Sequence, residues 1–145
     1  MRTDSNYYIL VGDLQNWKIA IENHVWGYSE KTKGSWNKAK IGDWLAFYAT
    51  SPIKKVFGFG ITTDKFKDDE ILWRDEKLFK RAIWNLRIRY KIVYLVDNWK
   101  EGIDLPPNTM LGTSRKRVDR EFFLNLVKNA DKKWKTNIIK SLEME

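Results

Sequence analysis

Apolar positions along the chain recur with two different periods. Tyr7-Tyr8-Ile9-Leu10-Val11 is a continuous, β-prone run stopped by Gly12-Asp13, which predicts a buried strand. Asp13 then suits a helix N-cap, and Leu14, Trp17 and Ile21, with Ala20 beside them, recur at helical spacing. The capping box is incomplete, because Asn16 stands where Glu or Gln would complete it. This helix is predicted to end near Asn23, a residue tolerant of left-handed geometry. Residues 40–43 read as a turn, and 44–49 as a second strand closed by Ser51-Pro52. Over 56–62, Phe57, Phe59 and Ile61 share one face, while Gly58 and Gly60 leave the other bare. Glycine at alternate strand positions permits sharp barrel curvature or close approach by another backbone or a ligand.

Residues 64–80 read as a charged connection with Ile71, Leu72 and Trp73 embedded in it. The cleanest alternation follows: Trp84, Leu86, Ile88, Tyr90 and Ile92 point one way, Arg87, Arg89 and Lys91 the other. That row of cations is either a solvated barrel exterior or part of a phosphate track. Residues 97–108 are turn-rich, with Pro106-Pro107 breaking any regular element. Arg115-Lys116-Arg117 then precedes a helix capped by Asp119, with Phe122, Phe123, Leu126, Val127 and Ala130 on one side. A second amphipathic helix is predicted over 132–142, using Trp134, Ile138 and Leu142. With no repeat and no linker, the pattern predicts one α+β domain over 1–145, built on a β-barrel-like sheet.

One stretch fits neither period. Residues 24–36 put two tryptophans, two glycines, three serine or threonine hydroxyls and two lysines into thirteen positions. It has few aliphatics for a core element and many aromatics for an ordinary loop, so it reads as a functional loop held over a pocket. The alternative is a lid, with Trp26 and Trp36 capping the core.

Composition narrows the chemistry. The 145 residues include no cysteine and one histidine, His24, which excludes Cys/His zinc sites, thiol nucleophiles and disulfides. Eight tryptophans exceed what packing alone requires and offer stacking surfaces. The net charge is +8, with the basic excess outside 61–109, which favours a polyanionic partner over simple solubility. No apolar run is long enough to span a membrane and no signal-peptide pattern is visible, so a cytoplasmic, monomeric protein is expected. Asp69, Asp75 and Glu76 could hold Mg²⁺ for phosphodiester cleavage, with Lys77 stabilising developing charge. They sit in a charged connection, however, and read better as solvated surface acids. A Ser29–His24 nucleophile pair lacks anything to orient the histidine. No catalysis, metal or cofactor is therefore expected, the alternatives being that Mg²⁺-dependent nuclease or a protein-interaction adaptor.

Several pieces together resemble a known family. Tyr8-Ile9-Leu10-Val11, Asn16-Trp17 and Val25-Trp26-Gly27-Tyr28-Ser29-Glu30-Lys31 are similar to the opening of EVE domains, members of the PUA-like superfamily. Ser35-Trp36, Ile41-Gly42-Asp43, Phe47-Tyr48, Phe57-Gly58-Phe59-Gly60, Leu72-Trp73-Arg74-Asp75-Glu76 and Leu86-Arg87-Ile88-Arg89-Tyr90 continue it in order. Arg74, Tyr28 and Thr32 depart from the residues common in the family. The resemblance implies a twisted pseudo-barrel sheet with flanking helices. It also implies a DNA or RNA partner whose base, a modified one, is read in an aromatic cage, as the related YTH domains read a methylated adenine. The base-binding candidates it suggests are Trp26, Trp73, Asp13, Ser29 and Tyr48. The phosphate-binding candidates are Lys31, Lys33, Arg115, Lys116 and Arg117.

Overall fold

The computed structural model describes residues 6–112 and 115–143. In chain order the elements are β1 (Tyr7–Gly12), α1 (Leu14–Asn23), β2 (Val25–Tyr28), α2 (Lys33–Lys38), β3 (Trp44–Ala49), β4 (Lys55–Lys67), α3 (Arg74–Phe79), β5 (Leu86–Leu95), β6 (Arg115–Val118), α4 (Arg120–Trp134) and α5 (Ile138–Glu143). Among the described residues the six strands form one curled sheet in the order β2-β5-β4-β3-β1-β6. β1 and β3 run parallel, with Tyr7 opposite Trp44, and the other pairs are antiparallel.

Strand alternation sends side chains to two cores. On the inner face Tyr8, Leu10, Leu45, Phe47, Leu86, Ile88 and Tyr90 meet Trp17 and Ala20 of α1. On the outer face Tyr7, Ile9, Trp44, Ala46, Phe59 and Ile61 meet Phe123, Leu126, Val127 and Ala130 of α4. The curl brings opposite sheet edges towards each other. The Arg115 guanidinium of β6 lies 4.2 Å over the Tyr8 ring, bonds the Ser35 carbonyl of α2 at 3.2 Å and faces Tyr28 of β2.

Gly58 and Gly60 make this curl possible. A Cβ on Gly60 would fall 2.7 Å from both the Lys91 carbonyl and the Phe47 ring, and one on Gly58 would fall 2.8 Å from the Tyr94 carbonyl. The bare face is thus the barrel interior, filled by Phe47. Phe57 does not share a face with Phe59, as the alternation predicts. Phe47 pairs with Gly58 but Tyr48 with Val56, so Phe57 is the extra residue of a bulge and turns inwards, stacked 4.0 Å from Trp99.

Both helix caps read from sequence are present. Asp13 accepts the Asn16 N–H at 2.7 Å and Asp119 that of Phe122 at 2.8 Å. Helix α1 ends on Asn23, but the left-handed residue is His24, at φ 55°. Two predicted segments differ. Residues 64–80 are not one connection, since β4 runs to Lys67 and α3 follows Trp73. Arg115, Lys116 and Arg117 precede α4 on edge strand β6. Helix α4 continues through Trp134, where left-handed Lys135 stops it. The Asp131 carboxylate then accepts the Ile138 and Ile139 N–H groups at 2.7 and 2.9 Å and starts α5.

Candidate functional site

The stretch 24–36 is not a loop. Val25, Trp26, Gly27 and Tyr28 form β2, all buried, with Trp26 opposite Ile88 and Gly27 opposite Arg87 of β5. Two aromatics and a valine suffice for a core strand when the partner strand supplies the aliphatics. Trp36 is the residue that caps: its Nε1 donates to the Arg87 carbonyl at 3.0 Å, and Lys65 lies 4.6 Å over its ring.

At the end of β1 and the start of α1 a cavity of about 260 Å³ opens, lined by Gly12, Asp13 and Asn16 with Trp26, Gly27, Thr50, Trp73 and Trp84. Two of the tryptophans are backed from behind. Trp26 stacks on Trp17, ring centres 4.3 Å apart and planes 27° apart. Trp73 has the Arg87 guanidinium 5.3 Å over its ring, and its Nε1 donates to the Asn16 carbonyl at 3.2 Å. Trp84 is held by its Nε1 bond to Asp75 Oδ2 at 2.9 Å. Glycine keeps the space open. A Cβ on Gly12 would fall 2.5 Å from the Trp26 ring, and one on Gly27 would fall 2.5 Å from Trp84 Cβ. Asp13 Oδ1 is committed to the helix cap, and among the described residues nothing bonds Oδ2.

Glu76 holds these walls in place. Its Oε1 accepts the N–H groups of Leu72 and Trp73, at 3.0 and 3.2 Å. Its Oε2 accepts those of Ile83 and Trp84, at 2.8 and 2.9 Å. Burial alone would raise its pKa, but the backbone donors outweigh burial and hold the carboxyl below the usual range. Arg87 completes the knot. Its Nη2 lies 3.5 Å from both Glu76 oxygens and 2.5 Å from the Glu70 carbonyl, Nη1 lies 3.2 Å from Asp68, and Nε donates to the Trp84 carbonyl at 2.8 Å.

This corrects two expectations. Arg87 is not one of a row of surface cations; it is fully buried, while Arg89 and Lys91 are exposed. Asp75 and Glu76 are not solvated acids either. Both are engaged in positioning Trp84 and Trp73, and only Asp69 of the three is exposed, which leaves no cluster for a metal there. Among the described residues no group of three or more His, Asp or Glu is placed to bind a metal ion.

Several solved structures share this fold. The complex of the YTH domain-containing protein Mmi1 with RNA superimposes with a TM-score of 0.58 at 13% identity, over 88% of this chain and 82% of that one. The Pho92 YTH domain in complex with m6A gives 0.58 at 12% identity, over 88% and 87%. A mutant of the ZmASCH protein from Zymomonas mobilis gives 0.62 at 13% identity, over 86% and 96%. No family model matches the chain, and no curated protein matches it. The fold is PUA-like, with the curled sheet and flanking helices that these YTH and ASCH structures share.

Within this PUA-like frame the structure gathers some of the sequence candidates and scatters others. Trp26, Trp73 and Asp13 line one cavity. Ser29 and Lys31 lie outside it, in a shallower groove with Arg81, Ile83 and Asn85 that shares Trp84 with the cavity. Tyr48 does not face the cavity; it packs against the outer core, because β3 alternation puts it on the same side as Trp44 and Ala46. Lys33 is exposed on α2. Arg115 is occupied by Tyr8 and Ser35, and exposed Arg117 bonds Asn6 Oδ1 at 2.7 Å. Neither they nor Lys116 line the cavity. Trp84 and Asn16 were missed as site residues. Trp84 opens the β5 alternation and so read as core, and its role appears only once Asp75 is seen to aim it.

Proposed function

We propose that this chain is a nucleic-acid reader of the EVE type, holding a single base, a modified one, of DNA or RNA in the cavity. The observation that carries this is the convergence of Trp26, Trp73, Trp84 and Asp13, whose Oδ2 has no other partner among the described residues, on about 260 Å³. That volume lies just below the roughly 300 Å³ at which sites for drug-sized ligands begin, and suits one planar ring system. Indole walls stack on any base, each such contact being worth about 1–3 kcal/mol. An added methyl gains about 25 cal/mol per Å² removed from water, on the order of 1 kcal/mol in all. Sharper discrimination comes from Asp13 Oδ2, which accepts from a base amino group and is left unpaired by the wrong edge.

That Mmi1 and Pho92 structures contain RNA and m6A supports the same reading. Lys31 and Arg81, in the groove beyond Trp84, are the cations best placed for phosphates; Lys33 and the β6 arginines lie farther off. The site is read as a binder and not a catalyst, since its best carboxylate, Glu76, is spent on backbone N–H groups. Titration at fixed salt against DNA and RNA oligonucleotides, unmodified or carrying N6-methyladenine or 5-methylcytosine, tests the proposal. A preference for one modification, reduced in Trp73→Phe and in Trp84→Ala while salt-sensitive binding persists, supports it. Equal binding to every oligonucleotide, or Mg²⁺-dependent cleavage of any, overturns it.

A further inference from the structure

Between cavity walls Trp73 and Trp84 the chain makes a short excursion: α3, the left-handed residue Lys80 at φ 57°, and the return through Ile83. Glu76 clamps the excursion at both feet, taking the N–H groups of Leu72 and Trp73 on one side and of Ile83 and Trp84 on the other. Its tip carries Leu78 and Phe79, exposed to 73% and 60%. These are two of the largest apolar exposures among the described residues, and they are adjacent. Exposed Lys77, Lys80 and Arg81 surround them, and Arg81 lines the groove that shares Trp84 with the cavity.

A rigid apolar tip among cations, tethered to the walls of a cavity sized for one base, has a physical counterpart in nucleic-acid chemistry. A base inside a duplex cannot enter a pocket until it leaves the stack, and unstacking is the energetic obstacle. Proteins lower that obstacle by inserting apolar wedges between base steps, while cations hold the flanking phosphates. We propose that Leu78 and Phe79 are such a wedge: they enter the stack of a duplex beside the base that passes into the Trp26–Trp73–Trp84 cavity. A protein partner would use the apolar pair but has no need of the basic collar, whereas a duplex uses both. The proposal rests on the base-reading function above. It adds that the protein acts on paired nucleic acid and opens it.

The test compares duplex with single strand. Wild type and Leu78→Ser/Phe79→Ser are titrated with a fluorescein-labelled duplex containing one mismatch and with its single strand. A second duplex carries 2-aminopurine beside the mismatch to report unstacking. Both side chains are exposed, so the variant should melt like wild type. The expected result is a loss of about tenfold in duplex affinity with single-strand affinity unchanged, and loss of the 2-aminopurine signal. Lys80→Gln/Arg81→Gln should instead weaken both forms and flatten their salt dependence. Equal loss on duplex and single strand, no loss on either, or wild type that binds single strands alone, overturns the wedge. Wild type that binds neither form overturns the base-reading function, and the wedge with it. Self-association of wild type that vanishes in the Leu78/Phe79 variant, with duplex binding intact, assigns the patch to a second copy and also overturns the wedge.

Discussion

The carboxylate of Glu76 and the guanidinium of Arg87 meet where neither side chain has any solvent exposure, each Glu76 oxygen 3.5 Å from Arg87 Nη2. The bond distances show which contacts dominate. The carboxylate's short bonds go to backbone N–H groups, and those of Arg87 to carbonyls, so the pair is a junction for two loops more than an isolated ion pair. Breaking such a junction leaves a buried charge and several orphaned donors. Glu76→Ala is expected to cost about 3–5 kcal/mol in urea unfolding and to red-shift tryptophan emission as Trp73 and Trp84 lose their backing.

The same carboxylate sets an acid limit. Its folded pKa lies below the unfolded value, because four backbone N–H bonds outweigh burial. The unfolded chain therefore takes up the proton more readily. The stability this group contributes is complete above the unfolded pKa and drains as pH falls towards the folded one. Melting temperature should fall from about pH 5 downwards, and Glu76→Gln, which lacks the ionisation, should show a flatter acid limb from a lower starting point.

Asp13 has two separable tasks. Oδ1 caps α1, whereas Oδ2 accepts no hydrogen bond among the described residues, and Asp13 lines the cavity. Asparagine caps a helix as well as aspartate does, so Asp13→Asn should retain stability while altering which base edge is accepted. Asp13→Ala should lose about 1 kcal/mol as well. Thermal melts beside oligonucleotide titrations distinguish the two effects.

Gly27→Ala tests the cavity floor. The added methyl would lie 2.5 Å from Trp84 Cβ and 3.1 Å from the Trp73 ring, neither of which is a freely moving side-chain end. Destabilisation of about 1–3 kcal/mol is expected, with any base preference lost.

Tyr48→Phe is the contrasting case. The Tyr48 ring packs on the outer face, away from the cavity, so base preference should be unchanged in the same titrations.

Local signals in the sequence carried most of the frame. Asp13 and Asp119 announced their helices because capping depends on residues only three positions apart. Gly58 and Gly60 announced a barrel because curvature is written into the strand itself. What stayed hidden depends on distant partners. Residues 25–28 look like a loop until β5, some sixty positions later, supplies the pairing edge. Arg87 looks like a surface cation until Glu76 and the Glu70 carbonyl arrive to pair it. Phe57 keeps the period of its neighbours, and only the bulge, a property of pairing with β3, turns it inwards. Of the site, Trp26, Trp73 and Asp13 were legible. Trp84 was not, because its alternation hid the bond to Asp75 that makes it a wall.

The cavity takes its lining from five separated places: Val11 to Asp13 with Asn16, Trp26 with Gly27, Thr50, Trp73, and Trp84. No single element contains it, so it exists only while the elements that carry these residues stay packed together. Anything that occupies it must therefore shift the unfolding equilibrium of the entire chain. At a hundredfold excess over its Kd, a ligand specific for the folded state adds about 2.7 kcal/mol, which raises a midpoint by several degrees. Free nucleosides, lacking any phosphate, would then report through heat alone, and the protein's own melting curve becomes an assay for which base it was built to hold.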